Sequence, residues 1–247
     1  MRMSIANYRK QYTTSRKRLR KLELNSSSVK HLLEQAPFFS ELNESILNAL
    51  LAQTISRHFK TNEIVAWENE QANGVSIIIS GWLKGIQTTQ TGREQVLRTF
   101  GPGDTFGLIT SLSHTPNHIR IVALEDCEIH SIPADALITL IDANPGFSHH
   151  LIRYLSQNLS SMIALVEDLS LKSVESRLAK FILSQSKDNV YTRKKWETQD
   201  LIAAQIGTVP DVLSRILRNL ENEHIISFDR QQITIIDLQA LRDRAKI

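Results

Sequence analysis

From residue 29 to about residue 59 the apolar side chains recur at helical spacing: Leu32, Leu33, Phe38, Phe39, Leu42, Ile46, Leu47, Leu50 and Leu51. The pattern then changes to short β-type runs, Val75-Ser76-Ile77-Ile78-Ile79, residues 95–100 and residues 119–124. Between the runs stand Asn73-Gly74, Ser80-Gly81, Thr91-Gly92 and Gly101-Pro102-Gly103-Asp104. Closely spaced strands with glycine at each reversal predict an antiparallel roll or sandwich. After Asn144-Pro145-Gly146 the next sixty residues hold no glycine. Leu155, Met162 and Leu169 fall seven apart there, and Leu159 and Val166 do the same one row over, which makes a heptad-like seam. A helix of about 25 residues is too long to cover one small domain at about 1.5 Å per residue, so the seam is expected to pair with a second copy of the chain. An amphipathic helix packed within one domain is the plainer alternative.

The densest pattern lies at residues 196–236. Thr198 can cap a helix through its hydroxyl, with Asp200 favoured by the helix dipole in the first turn. Leu201, Ile202 and Ile206 give that helix a buried side, and Gly207 supplies a tight turn. Pro210 is tolerated near the start of a second helix, where amide groups lack intrahelical partners. In this second helix Leu213, Ile216, Leu217 and Leu220 form one apolar stripe at i, i+3, i+4 and i+7. At 100° per residue Asp211, Arg215, Arg218 and Asn222 gather on the opposite face, with Ser214 at its edge. A helix packed on one side and carrying Arg, Asp and Ser on the other suits a major-groove reader, because arginine donates a bidentate pair to guanine O6 and N7. An acid four residues earlier can steady that guanidinium or accept from a cytosine amine. Residues 225–228 and 232–236, joined by Asp229-Arg230-Gln231, read as a short hairpin, the wing of a winged helix-turn-helix. The bland alternative is a small helical interaction domain whose charged face is merely solvated.

Charge sharpens this picture less than the pI of about 9.0 suggests. Residues 1–28 carry a net +7, residues 29–171 a net −7 and residues 172–247 a net +3. Most of the basicity therefore sits in the first 28 residues, a basic extension that is either a solvated tail or a phosphate-gripping arm. It has no apolar core after its charges, so it is not read as a secretory signal. No stretch approaches eighteen consecutive apolar residues, and no membrane association is expected. Cys127 is the only cysteine. One thiol excludes an internal disulfide and an iron–sulfur cluster ligated within one chain, and Cys127 is expected to be a small buried residue on a strand. The expected place of action is the cytoplasm.

These residues resemble the cyclic-AMP receptor protein / fumarate–nitrate regulator (Crp-Fnr) family over roughly residues 30–240. TQDLIAAQIGTVPDVLSRILRNL, from Thr198, is similar to that family's helix-turn-helix without a gap. GVSIIISGWLKG (74–85), FGPGDTFG (100–107) and ALEDCEIHSIP (123–133) are similar to its glycine-marked strands, and NPGFSHHLIRYLSQNLSSM, from Asn144, to the start of its dimer helix. The resemblance implies an α+β fold in four parts. These are a flexible extension (1–28), an antiparallel β-roll sensor like a cyclic-nucleotide-binding domain (29–143), a dimerisation helix (144–171) and a winged helix-turn-helix (172–247). It places Asp211, Ser214 and Arg215 at base-reading positions, joined by Arg218 on the same face, and Thr198 and Gln199 at phosphates. It also implies a homodimer on palindromic duplex DNA, working with RNA polymerase. Pro210 stands where the cyclic-AMP branch carries Arg, so that branch's half-site does not carry over.

The effector does not carry over either. By the resemblance, the pocket comprises Gly107, Leu108, Asn117, His118 and Arg120 with Met162 and Ile163 of the long helix. Leu108 stands where nucleotide binders hold the ribose with Glu, and Asn117-His118 stand where they hold the phosphate with Arg–Ser. A phosphate buried without its cation would be penalised by several kcal/mol, roughly, so cyclic AMP in the usual mode is not expected. Met162 and Ile163 at the adenine-contacting positions favour an apolar effector or none. Haem stays open, with His114, His118, His149 and His150 as available imidazoles. The chain has no GxxxxGK[ST], HExxH or GxSxG motif, and no catalytic or metal site is expected. Two rivals to an effector-controlled regulator stay open: a DNA binder without an effector, and an interaction protein that no longer binds DNA.

Overall fold

The structure, a computed structural model, describes residue 32 and residues 36–39, 42–71, 74–88, 92 and 94–246. The basic extension and both of its readings lie outside the described residues. The described chain gathers into two compact units. One runs up to Lys84 and resumes at Thr99–Tyr154; the other comprises Gly85–Arg98 and everything from Leu155 onward.

In the first unit, helix α1 (Glu44–Leu51) starts where the Asn43 side chain accepts the Ile46 amide, and it buries Leu47, Leu50 and Leu51. The expected helix does not continue to residue 59. Residues Ile55–Phe59 form strand β1, paired antiparallel with β8 (Cys127–Pro133) from Ile55↔Ser131 to Phe59↔Cys127. Ile55 and Phe59 sit four apart and so imitate a helical stripe, yet Ile55 is exposed and Ser56 is buried. A partner some seventy residues away decides the conformation.

The remaining strands are β2 (Ile64–Ala66), β3 (Gly74–Ser80), β4 (Leu83–Thr88), β5 (Glu94–Phe100), β6 (Thr105–Phe106) and β7 (Arg120–Ala123). They make two four-stranded sheets, ordered β1-β8-β3-β6 and β2-β7-β4-β5. Ile78, Cys127 and Ile129 of the first sheet pack with Leu83, Phe100, Ile121 and Ala123 of the second as one apolar core. Cys127 is buried as expected, and burial pushes its thiol pKa up. Helices α2 (Leu108–Ser113) and α3 (Ala134–Ala143) lie against β3.

The long helix α4 (Pro145–Leu171) begins with proline at its first position and runs for 27 residues. Its opening turns belong to the first unit. Phe38 meets Phe147 and Tyr154 edge-on, and the His150 Nε2–H donates to the carbonyl of Pro37 at 2.9 Å. Beyond Leu151 no residue of α4 is buried in the single chain.

The second unit adds α5 (Val174–Gln185), β9 (Val190–Thr192), α6 (Gln199–Gln205), α7 (Pro210–Asn222), β10 (Ile226–Phe228), β11 (Gln232–Ile235) and α8 (Leu238–Ala245). The expected hairpin is β10–β11, registered from Ile226↔Ile235 to Phe228↔Ile233. A third strand, β9, joins it to give the order β10-β11-β9, and neither β9 nor α8 was legible in the apolar pattern. Leu178 and Ile182 of α5, Ile202 of α6, Leu213 and Leu217 of α7 and Leu241 of α8 share one core. Among the described residues no helix is long and apolar enough to cross a membrane.

Candidate nucleic-acid interface

The geometry of the second unit starts from two caps. Thr198 accepts the Leu201 amide at 3.2 Å and opens α6, while Val209, with extended backbone, precedes Pro210 at the first turn of α7. Between them Gly207 adopts φ +70. A Cβ there would lie 2.7 Å from Leu169 Cδ2 of the long helix, a side-chain tip that can turn aside, so it is the left-handed backbone that calls for glycine. Gly207→Ala is expected to lower stability by about 1–2 kcal/mol from the left-handed backbone alone, seen as a fall in Tm by circular dichroism. An unchanged Tm would contradict that account.

Helix α7 is two-faced in the way its sequence predicts. Leu213, Ile216, Leu217 and Leu220 are buried, and Asp211, Arg215, Arg218 and Asn222 are exposed. Ser214, at the edge of that face, is half-buried, and its hydroxyl donates to Gln199 Oε1 at 3.3 Å. That bond brings a base-reading candidate and a phosphate-touching candidate together across the two helices. Among the described residues Asp211 makes no ion pair with Arg215, which leaves both heads directed to solvent.

Beside this face the wing is tightly turned. Asp229 Oδ1 accepts the amides of Gln231 at 2.6 Å and Gln232 at 2.8 Å, and these two backbone bonds hold its carboxyl below the usual range. A cleft of about 500 Å³ lies between wing and helix start, lined by Arg193, Thr198, Gln199 and Arg230 among others. Arg230 enters the sequence reading only as a turn residue and Arg193 not at all, because isolated basic residues beside strands carry no periodic signal.

A second feature missed in sequence is Arg177, in the first turn of α5. Its Nε donates to the carbonyl of Ile206 at 2.8 Å, and its Nη1 reaches the carbonyls of Asp168, Leu169 and Lys172 at 3.1–3.3 Å. The last carbonyls of a helix lack intrahelical donors and carry the negative end of its dipole. One guanidinium therefore caps α4 and the carboxyl end of α6 together. Asp168, also in the last turn of α4, is bonded by Lys180 and by Lys172. Burial alone would raise its carboxyl pKa, but the two ammonium partners outweigh that and hold it below the ordinary value.

The seam candidates Leu159, Met162, Val166 and Leu169 are exposed along α4, together with Ile152 and Ile163. Leu155 is half-buried.

The effector candidates are less coherent. Gly107, at φ +82, precedes α2 and lies close against the Gly74 carbonyl. Leu108 is buried on α2. Asn117 is committed to the protein itself: its Nδ2 donates to the Trp67 carbonyl at 3.2 Å and its Oδ1 accepts from Thr110 at 3.4 Å. His118 is exposed and Arg120 half-buried on β7. Ser111 and Ser113 lie in α2, a helix too short for periodicity to announce. Met162 and Ile163 fall in the second unit. Of the imidazoles left open for haem, His150 is buried with its Nε2 engaged, whereas His114, His118 and His149 are exposed.

A two-sheet roll, a long helix with a bare apolar stripe and a winged helix-turn-helix together define a DNA-binding regulator of the helix-turn-helix class. Two family models match: a cyclic nucleotide-binding domain over residues 56–144 and a Crp-like helix-turn-helix domain over residues 176–244. The chain is 26% identical over 221 residues to a CRP-like cAMP-activated global transcriptional regulator of Mycobacterium tuberculosis, covering 87% of this chain and 99% of that one. It is 27% identical to a probable transcriptional regulator, flp, of Lacticaseibacillus casei, over 85% of this chain and 95% of that one. Among solved structures, a CooA variant from Carboxydothermus hydrogenoformans has a TM-score of 0.69 at 20% identity, covering 92% of this chain and 98% of that one. FixK2 from Bradyrhizobium japonicum has a TM-score of 0.68 at 20% identity, covering 77% and 96%. At that identity both likenesses show the fold alone. The chain belongs to the Crp-Fnr family of transcription regulators.

Proposed function

We propose that this regulator binds a two-fold symmetric DNA duplex as a homodimer. Each chain reads a half-site with Asp211, Ser214, Arg215 and Arg218 and grips the flanking backbone with Thr198 and Gln199. The observation that carries the reading is the division of α7 into a buried leucine–isoleucine face and an exposed polar face. The bare stripe on α4 supports the dimer, because a run of apolar side chains left in water on one helix favours burial against a partner. Two readers related by a dyad would enter major grooves about 34 Å apart, which makes the operator a palindrome. By the family's habit the partner in transcription is RNA polymerase, and the place of action is the cytoplasm.

The functional divisions we assign are the extension (1–28), roll (29–143), dimer helix (144–171) and DNA-binding domain (172–247). In the roll, Leu108 buried at the ribose position and Asn117 bonded internally do not fit a cyclic nucleotide held by Glu and Arg–Ser. Met162 and Ile163 favour an apolar effector, haem among the candidates, or none, and where one binds it would bias the orientation of the recognition helices while operator DNA favours the same state reciprocally.

Selection from random duplexes tests the DNA reading. It should enrich a palindrome whose affinity falls steeply with salt, log K dropping by about 0.9 per neutralised phosphate for each unit of log salt. Recovery of no sequence, with no salt-dependent binding, would instead favour an interaction protein.

A further inference from the structure

The second unit contains one stretch from far away in sequence. Gly85–Arg98, the outer part of the β4–β5 hairpin, gathers with the helix-turn-helix. The contact is specific. Gln95 Nε2 donates to the carbonyl of Ala204, in the last turn of α6, and to the carbonyl of Val96 at 3.2 Å. Both donors of the side-chain amide are thus used. Its Oε1 lies over the turn glycine, 3.8 Å from where a Gly207 Cβ would stand. The same short segment takes Arg177 on the carbonyls of Ile206 and Gly207, and Leu169 on Gly207 itself.

We infer that Gln95 is a positioning residue for DNA recognition: the β4–β5 hairpin pins the carboxyl end of α6 and so sets the angle at which α7 is presented. The turn held in this way, residues 206–209, is the chain that joins α6 to α7. A donor fixed on Ala204 restrains the rotation of α6 about the turn. The restraint comes from β5, a strand 109 residues away along the chain. Arg177 acts on the same turn from α5, and Gln95 adds a second hold from β5. This inference rests on the DNA-binding reading proposed above.

Three variants test it: Gln95→Ala removes the donor, Gln95→Glu presents a carboxylate to a carbonyl, and Gln95→Arg restores donors that the negative end of α6 favours. Amide hydrogen exchange of the full chain without DNA reads the hold directly. The amides of Ile206, Gly207 and Thr208, bonded to carbonyls of Ile202, Ala204 and Ala203, report on that turn. In Gln95→Ala and Gln95→Glu their exchange should accelerate about fivefold to tenfold, the size set by one hydrogen bond's net contribution. Gln95→Arg should restore protection. Affinity for the selected operator should weaken by about threefold to tenfold in the Ala and Glu variants and recover in Arg. Unchanged exchange in Gln95→Ala overturns the inference, and so does an operator affinity that stays the same or rises. The exchange arm needs no DNA, so failure of the DNA reading shows separately, as wild-type protein that binds no duplex.

Discussion

Arg215→Ala should abolish sequence-specific operator binding while leaving the protein folded and able to hold non-specific DNA. Arg215 projects from the exposed face of α7, five residues after its first, Pro210, and its backbone is anchored by Ile216 and Leu217 behind it. A guanidinium there can donate two parallel bonds to guanine, and each such pair is worth about 1–3 kcal/mol against the wrong base. The two-fold complex loses the contact twice. Specific affinity should therefore drop by roughly 30-fold to 10⁴-fold, whereas Tm changes by no more than the equivalent of about 0.5 kcal/mol. Arg215→Lys should fare little better, because an ammonium lacks the planar fork. Fluorescence anisotropy with operator and scrambled duplexes separates the two components. If the alanine variant still discriminated between them, Arg215 would lose its assigned role and Arg218 or Asp211 would inherit it.

The largest effect expected outside the recognition helix is on assembly. Leu159 and Val166 are 61% and 63% exposed in the single chain, so changing both to glutamate disturbs no core of that chain. In a parallel two-fold pairing the same substitutions place like charges opposite each other inside a dry seam, where unpaired carboxylates are costly to bury. Sedimentation should show a dimer for the wild type and a monomer for Leu159→Glu/Val166→Glu. Palindromic operator affinity should fall by about 10²-fold to 10⁴-fold, the advantage of bivalent binding, while a single half-site is bound as before. A variant that remains dimeric would move the interface elsewhere.

What the sequence discloses and what it conceals divide along physical lines. The long helix was legible because a glycine-free stretch carries a sustained seam and a proline marks its start; the structure places it at Pro145–Leu171. The helix-turn-helix was legible because α7 carries its stripe over two full turns. Strand β1 was misread because Ile55 and Phe59 mimic helical spacing, and only β8, far along the chain, overrides it. Helix α2 spans six residues, fewer than two turns, which leaves periodicity nothing to count. Arg177 and Gln95 were invisible for a different reason. Each is a single polar side chain whose partners are backbone carbonyls, and a carbonyl has no residue identity to read. The pocket residues were named through resemblance, and the folded chain shows why that route is weak: Asn117 spends its amide on Trp67 and Thr110.

The double cap formed by Arg177 has a mechanical corollary. Because one planar cation grips the ends of two rods, those rods behave as a single crank, with little compliance at the joint. Torque applied along α4 would pass through that grip to α6 for as long as it holds. When it lets go, its donors would be lost nearly together rather than one after another. Such a joint yields at a threshold, so the output is a step, and intermediate tilts of α6 should be scarcely populated.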